Sequence, residues 1–312
     1  MRALVLGGSG FLGRHVVTAM RARGTSVVIG SRHPSRHPRD SSDAPDGGEW
    51  RCARFERLLK AQDWLDLVDG CDVVVNCVGI LRRRPGESYA AIHHLAPSAL
   101  ACACRELGVR LVHVSALGLD ARARSRFIRS KRLGEQGITA SGVVWTLVRP
   151  SLLDGDGGYG ARWIRALAAM PWHFVPSCAT GRIAVLDVRD AAEAIATLSG
   201  ELPDAGCRIA ELGGLDSFTM AQYLSVLRRA RGMSPVRCST VAMPVARLAS
   251  HLCDALHVSP FSFGHLELME RDNVPAINAL PALLGRAPRR IGVATAPIVA
   301  PEAVGRNVRA AG

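Results

Sequence analysis

The sequence predicts an α/β protein with a doubly wound parallel sheet and a smaller, mostly helical C-terminal region. The chain opens with an apolar run, Ala3 to Leu6, which breaks into glycines and continues as a helix-compatible pattern. Short apolar segments then alternate with helix-like segments as far as residue 150, as in parallel sheets with crossover helices. From Thr219 onward the pattern is mostly helical.

The opening strand runs into a glycine-rich turn. The turn contains Gly7, Gly10 and Gly13, with Phe11 and Leu12 between the second and third glycines. Glycines let the backbone turn tightly and approach a pyrophosphate, and the following helix N-terminus supplies free N–H groups. Because a strand precedes the motif and a helix follows it, we expect a Rossmann-type dinucleotide site here.

The second predicted strand, Ser26 to Gly30, is followed by arginines rather than by a carboxylate. An NAD-selective site would place Asp or Glu near this strand end, to bind the ribose 2′-hydroxyl. Arg32 and Arg36 stand there instead. A guanidinium can hold a 2′-phosphate, so the sequence favours NADP(H) over NAD(H). The alternative is that both arginines are solvated loop residues.

Four more strands are predicted in this half of the chain, at 50–55, 71–79, 109–114 and 143–148, and helices are expected at 57–68 and 87–107. The strand that begins at 71 runs into the turn Asn76-Cys-Val78-Gly79. Since the carboxyl ends of such strands point into the ligand crevice, we expect this turn to lie beside the cofactor.

Four phrases of the chain resemble the short-chain dehydrogenase/reductase superfamily, in its extended and atypical, epimerase-like branch. The phrases are Asn76-Cys-Val-Gly-Ile-Leu81, Val114-Ser-Ala-Leu-Gly118, Arg129-Ser-Lys-Arg-Leu-Gly-Glu135 and Val148-Arg-Pro150-Ser151. They are most similar to the group that contains the nucleotide-binding accessory subunit of respiratory complex I and its bacterial relatives. The resemblance covers most of the chain and implies cofactor contacts at Asn76, Val78, Gly79, Pro150 and Ser151.

The resemblance also implies an active site made of a serine, a tyrosine and a lysine. Ser115 matches the serine and Lys131 matches the lysine, but Phe127 stands at the position of the tyrosine. Phenylalanine has no hydroxyl, so it cannot transfer the proton that general acid–base catalysis needs for its usual gain of about 10²–10⁴-fold. None of the nearby groups that could replace the tyrosine has the matching position; they are Ser125, Ser130, His93 and Tyr159.

Three functions follow from this mixture of retained and lost residues. The first is an NADP(H)-binding protein with a structural or accessory role beside respiratory or quinone-linked machinery. The second is an active NADPH-dependent reductase, or a sugar-nucleotide epimerase, that uses a displaced proton donor. The third is a regulatory protein that senses NADPH.

We expect an NADP(H)-binding domain over residues 1–150, completed by about 182–213, and a smaller substrate or partner region from 151–181 and 214–312. In that region an apolar stripe favours a core face over a membrane face; its members are Val245, Leu248, Ala249, Leu252 and Leu256. The basic tail from Gly285, with Arg286, Arg289, Arg290, Arg306 and Arg309, predicts a surface strap. Asp154 and Asp156 lack the spacing of a calcium loop, so no metal site is predicted.

The net charge of +12 raises the question of a polyanionic partner. Nearly all of the basic residues are arginine and no nucleic-acid motif is present, so an anionic membrane surface or an acidic protein complex is favoured over nucleic acid. The nine cysteines form no Cys-x-x-Cys pair, and the chain has no run of 18 apolar residues and no room for a signal peptide. We therefore expect a reduced cytoplasmic protein, with a peripheral position at the inner face of the membrane left open.

Overall fold

The computed structural model describes residues 1–34, 48–82, 86–200, 206–256 and 262–292, with side chains through 253 in the fourth of these ranges. Within these ranges the strands are β1 (Arg2–Leu6), β2 (Ser26–Ser31), β3 (Trp50–Cys52), β4 (Val73–Asn76), β5 (Arg110–Val114), β6 (Trp145–Pro150), β7 (Leu153–Asp154), β8 (His173–Pro176), β9 (Leu186–Asp187), β10 (Arg208–Leu212) and β11 (Cys238–Val241).

The helices are α1 (Phe11–Arg21), α2 (Gln62–Val68), α3 (Ala96–Glu106), α4 (Arg126–Ala140), α5 (Tyr159–Ala169), α6 (Val188–Ser199), α7 (Met220–Ala230), α8 (Met243–Leu256), α9 (Phe263–Met269) and α10 (Leu280–Leu284). A π-helical segment, Ala91–Leu95, leads directly into α3. In the part of the chain that the structure describes, no helix has the length and apolar character needed to cross a membrane.

Seven strands form one parallel sheet in the order β10-β6-β5-β4-β1-β2-β3. The strand order reverses between β1 and β4, which are hydrogen-bonded neighbours. In doubly wound sheets the ligand crevice opens beyond the carboxyl ends of the strands at such a reversal. We therefore expect the turns that follow β1 and β4 to border the ligand crevice.

Alternate side chains of β1 enter two separate cores. Ala3 and Val5 pack in the core that α1 and α6 cover, whereas Leu4 and Leu6 pack in the core that α2 and α3 cover. All four side chains are fully buried. This is the burial that a central parallel strand requires, because helices cover both faces of the sheet.

A smaller lobe has its own apolar core between α5, α7 and β8. Tyr223, Leu224 and Leu227 of α7 are buried there against Val175 of β8. Strand β8 pairs in parallel with β11, and the two form a separate small sheet. The predicted fold class, a doubly wound parallel sheet with a mostly helical C-terminal region, is confirmed; the proposed domain boundaries stay a prediction.

The basic tail binds the main sheet's helices through α6. The carboxylate of Asp190 is fully buried and forms ion pairs with Arg286 and Arg289, and Glu193 joins the same cluster. Arg289 also donates its backbone N–H to Asp190 over 2.6 Å. Because a buried carboxylate is costly unless it is paired, these contacts explain why the chain returns to α6 after α10. Arg306 and Arg309 lie outside the described residues.

The prediction that the α8 stripe forms a core face is wrong for three of its large members, and the side chain of Leu256 lies outside the described residues. Val245, Leu248 and Leu252 are 57%, 62% and 52% exposed, whereas Ala246 and Ser250 of the same helix are buried. The helix packs through its small residues, and hydrophobic periodicity alone does not identify the face that a neighbour covers. Strands β8 and β11 were also not predicted, since short edge strands carry little periodic signal.

Candidate functional site

Glycines let the turn after β1 pack closely against the helix that follows it. Gly7 has φ +73°, a left-handed conformation that glycine adopts without cost. Its carbonyl oxygen accepts the N–H of Gly10 over 2.8 Å and lies 2.1 Å from the position that a Cβ on Gly13 would occupy. Strand and helix therefore approach as closely as a pyrophosphate site requires.

The N-terminus of α1 is available to an anion. Gly10 is the N-cap residue and provides no side-chain cap, and the first turn of α1 carries no acidic side chain. The backbone of Phe11 and Leu12 belongs to this turn, while the Phe11 ring packs against Gly158 of the loop before α5. Unpaired N–H groups and the positive end of the helix dipole at one point form a natural phosphate site.

The turn after β4 packs directly on the glycine turn. Asn76 organises it: its Oδ1 accepts the backbone N–H of Val78 over 3.0 Å, and its amide nitrogen lies 3.0 Å from Nδ1 of His113. Burial, and secondarily the charge of Lys131, lowers the pKa of His113 to about 3, so the ring is neutral and can accept this hydrogen bond. A Cβ on Gly7 would lie 3.0 Å from the Val78 side chain, which shows how closely the two turns meet.

Ser115 and Lys131 reach the same edge of the sheet. Ser115 directly follows β5, and its Oγ is buried with no hydrogen-bond partner in the described part of the protein. The Nζ atom of Lys131, on α4, lies 3.9 Å from the position that a Cβ on Gly79 would occupy. Burial lowers the pKa of Lys131 to about 8, opposed by the Glu135 carboxylate. An orphaned hydroxyl and a partly desolvated ammonium are groups that a bound ribose or substrate could satisfy.

Phe127 is enclosed rather than presented to a substrate. Its side chain is only 6% exposed, and the rings of Tyr89, His93 and His265 surround it with centroids 5.5 to 5.8 Å away. Helix α9 covers it from outside, since a Cβ on Gly264 would lie 3.1 Å from the Phe127 Cβ. The position that holds the tyrosine in the superfamily is thus part of an aromatic core.

The groups considered as substitute proton donors have structural roles. His93 accepts the N–H of Ile80 through Nε2 over 3.1 Å, and its Nδ1 lies 3.1 Å from the hydroxyl of Ser130. That hydroxyl donates to the carbonyl of Phe127 over 2.9 Å, so it accepts from a protonated Nδ1. Burial lowers the pKa of His93 well below its ordinary value, so the ring is held in this one neutral tautomer.

The other two candidates are no better placed for proton transfer. Ser125 caps α4 by accepting the N–H of Ile128 over 3.3 Å. Tyr159 begins α5 with half of its side chain exposed. Sequence reasoning missed Tyr89, whose hydroxyl donates to the carbonyl of Leu81 over 3.0 Å and whose ring stacks on His93. The four-residue spacing of Tyr89 and His93 was the available signal.

The arginine after β2 has a partner of its own. Arg32 forms an ion pair with Glu87, and the second carboxylate oxygen of Glu87 is buried with no hydrogen-bond partner among the described residues. The Arg32 side chain is 45% exposed, so Glu87 covers only part of it. Arg36 lies outside the described residues.

Two predicted contact residues lie at the end of β6. Pro150 is buried, and its carbonyl accepts the N–H of Leu117 over 3.0 Å. The hydroxyl of Ser151 donates to the carbonyl of Asn273 over 2.7 Å. The Ser151 side chain therefore joins the strand end to the segment before α10, and its contact with a cofactor stays a prediction.

The contact between Gly7 and Gly13 generates a direct test. We expect Gly13→Ala to destabilise the protein by about 1–3 kcal/mol, because the new methyl group must displace the Gly7 backbone. Nucleotide affinity should fall at least about tenfold with it. Gly206→Ala is the matched control, since a Cβ there meets nothing within 4 Å. Urea unfolding and nucleotide titration of both variants make the comparison, and equal behaviour of the two would contradict the packing argument.

The chain is similar to known nucleotide-binding proteins. A family model described as NAD(P)H-binding matches residues 7–168. A ceramide reductase of Caulobacter vibrioides is 27% identical over 288 residues, which cover 87% of this chain and 85% of that protein. The mitochondrial NADH dehydrogenase [ubiquinone] 1 alpha subcomplex subunit 9 of Arabidopsis thaliana is 26% identical over 234 residues, which cover 72% of this chain and 56% of the subunit.

Solved structures share the fold. A nucleoside-diphosphate-sugar epimerase from Staphylococcus aureus superposes with a TM-score of 0.73 at 18% identity, covering 93% of this chain and 98% of that one. An NADPH-dependent quinone oxidoreductase from Escherichia coli, in complex with NADPH, gives 0.72 at 18% identity, with 94% and 97% covered. Because the family model matches more than half of the residues, this chain belongs to the NAD(P)H-binding family, and it shares the Rossmann fold of these epimerase and oxidoreductase structures.

Proposed function

We propose that this protein holds NADP(H), in preference to NAD(H), as a resident group in a structural or accessory role beside membrane-bound respiratory or quinone-linked machinery. One observation carries the proposal: Phe127 replaces the proton donor and is sealed by Tyr89, His93 and His265. A site that binds a nucleotide but cannot protonate a substrate at this position is suited to retention of the nucleotide rather than to carbonyl chemistry.

The residues present fit a dinucleotide. The Gly7 to Gly13 turn packs so closely that a Cβ on Gly13 would lie 2.1 Å from the Gly7 carbonyl oxygen, and the α1 N-terminus offers N–H groups to the pyrophosphate. Lys131 and the orphaned Ser115 hydroxyl would hold the nicotinamide ribose side. The chemistry that NADPH would supply here is a hydride, and Ser115 and Lys131 would orient its nicotinamide ribose.

Arg32 supports the choice of NADP(H). A guanidinium can bind a 2′-phosphate bidentately, and the position after β2 is where the adenosine ribose lies in this fold. Glu87 modulates that preference in our proposal, because it competes with the phosphate for the same guanidinium. The carboxylate also balances the charge of Arg32 when no phosphate is held.

The accessory role rests on the relatives and on charge. The resemblance to the complex I subunit spans 72% of this chain but only 56% of that subunit. Association of this protein with a respiratory complex is therefore part of the proposal. A chain with a net charge of +12 is attracted to anionic surfaces, which favours the inner face of the membrane in an otherwise cytoplasmic protein.

A second candidate is an NADPH-dependent reductase. Ser115 and Lys131 remain in place, and the relative that covers most of both lengths is named a ceramide reductase. An acceptor whose reduced form is a stabilised anion, such as a quinone, needs the missing proton donor less than a simple carbonyl does. Sensing of NADPH for a protein partner is the third candidate, and co-purification with a membrane complex would separate it from the accessory role.

A binding and turnover experiment tests the proposal. Nicotinamide fluorescence should show saturable NADPH binding, while oxidation of NADPH by a panel of quinones and carbonyls should not exceed that of the Lys131→Ala variant. Lys60→Ala is the matched control, because Lys60 is exposed and is the only other lysine. Clear turnover by the wild type that Lys131→Ala abolishes and Lys60→Ala retains would establish the reductase instead.

Cofactor choice gives a second prediction. Arg32→Ala should weaken NADPH by about 10–100-fold, the worth of a charge-assisted contact, and leave NADH nearly unchanged. Glu87→Gln should tighten NADPH, because it frees the guanidinium. Arg23→Ala removes an equal charge before β2, at the opposite end of that strand, and should change neither affinity. Equal losses of NADPH and NADH in Arg32→Ala would remove the argument for a 2′-phosphate.

A further inference from the structure

One carboxylate joins helix α9 to the start of α4. Glu267 of α9 accepts the backbone N–H of Arg124 through Oε1 and the backbone N–H of Ser125 through Oε2, each over 2.8 Å. Ser125 is the N-cap residue of α4. The carboxylate therefore lies at the positive end of the α4 dipole, where a negative charge is stabilised and its hydrogen bonds are charge-assisted.

The two joined helices enclose the position of the missing tyrosine. A Cβ on Gly264 of α9 would lie 3.1 Å from the Phe127 Cβ, and the ring of His265 stacks on the Phe127 ring with centroids 5.7 Å apart. The Nζ atom of Lys131 lies 5.9 Å from the centroid of the same Phe127 ring. Phe127 is thus in contact with α9 and close to Lys131, so the position of α9 bears on the nicotinamide side of the site.

The carboxyl end of α9 is anchored elsewhere. The carbonyl of Leu268 accepts the side-chain amide of Asn273 over 3.0 Å, and the carbonyl of Met269 accepts the N–H of Gly181 over 3.0 Å. Neither of these hydrogen bonds reaches α4, whereas both hydrogen bonds of Glu267 do. Loss of the carboxylate would therefore leave α9 attached at its carboxyl end and free its contact with the start of α4.

We propose that Glu267 is a positioning residue that holds α9 over the nicotinamide side of the site. In this position α9 slows the release of a bound nucleotide and keeps other molecules, quinones included, away from the nicotinamide. The inference rests on the proposed function and adds the residue that controls retention of the nucleotide. Two charge-assisted hydrogen bonds from one side chain fix the direction of the contact as well as its strength.

A carboxylate that merely stabilised the end of α4 would have different effects. Its removal would lower the free energy of unfolding, because N–H groups at the start of α4 would lose their partner. It would not change how fast the folded protein releases a nucleotide. The release rate of the folded protein, compared with its stability to urea, therefore distinguishes positioning of α9 from capping of α4.

Nucleotide release from the full chain tests the role of Glu267. Mixing the NADPH complex with excess NADP⁺ and following nicotinamide fluorescence gives the release rate, which should be at least about tenfold higher in Glu267→Ala. Acrylamide should also quench the bound nicotinamide more strongly in this variant. Glu267→Gln keeps one carbonyl acceptor and should lie between the two, and it supplies the test if the alanine variant does not fold. Glu270→Ala is the matched control, because Glu270 is exposed at the end of α9 and should behave as the wild type.

Equal release rates and equal quenching in Glu267→Ala and the wild type would overturn the proposal, even if the variant unfolds at a lower urea concentration. Hydrogen exchange without nucleotide separates this inference from the proposed function, because the amides of α9 should exchange faster in Glu267→Ala than in the wild type. Failure of the wild type to bind NADPH would contradict the proposed function. The exchange measurement would then decide alone: faster exchange in α9 supports the role of Glu267, and unchanged exchange overturns it.

Discussion

The carbonyl oxygen of Gly7 lies 2.1 Å from where a Cβ on Gly13 would be, so β1 and α1 can meet only without a side chain at that point. The other contacts of the site depend on this approach. It fixes the direction in which α1 leaves the sheet, and it brings the α1 N-terminus to the edge where β4 ends. Val78 then packs on the Gly7 turn, so the two turns that flank the sheet's reversal form one surface.

At that surface the chain keeps the residues that match the superfamily's serine and lysine, but it lacks the tyrosine that would transfer a proton. Ser115 directly follows β5 with its hydroxyl unpartnered among the described residues, and Lys131 lies beside Gly79, whereas the position of the tyrosine is the centre of an aromatic cluster that α9 covers. The hydrogen bonds from Ile80 through His93 and Ser130 to the Phe127 carbonyl end within the protein. This series of hydrogen bonds joins α4 to the β4 turn and stabilises both, but it offers no proton to a ligand. This arrangement supports the proposed role in holding a nucleotide.

The sequence predicted the parts of this arrangement that are local. The glycine turn, the six strands to residue 150 and the helices before β5 all depend on short stretches of chain, where periodicity and turn chemistry are informative, although α4 was not among the predicted helices. The surroundings of Phe127 could not be predicted, because Gly264 and His265 reach it from more than a hundred residues away.

Two further features could not be predicted for the same physical reason. The ion pair of Arg32 with Glu87 joins the end of β2 to the segment before α3. Because the two residues are far apart in the sequence, no local pattern could predict this partner of Arg32. The apolar periodicity of α8 identified a stripe correctly but not its environment, because small residues such as Ala246 and Ser250 can pack a helix as well as large ones. In both cases the missing information was tertiary.

Identification of any nucleotide that co-purifies with the protein tests the central claim most directly. Denaturing the purified chain and identifying the released nucleotide by mass spectrometry requires no assumed substrate. The account predicts an equimolar amount of NADP(H), which persists in its reduced form after incubation with quinones. Release of NAD(H), release of no nucleotide, or complete oxidation of the bound NADPH by a quinone would contradict it.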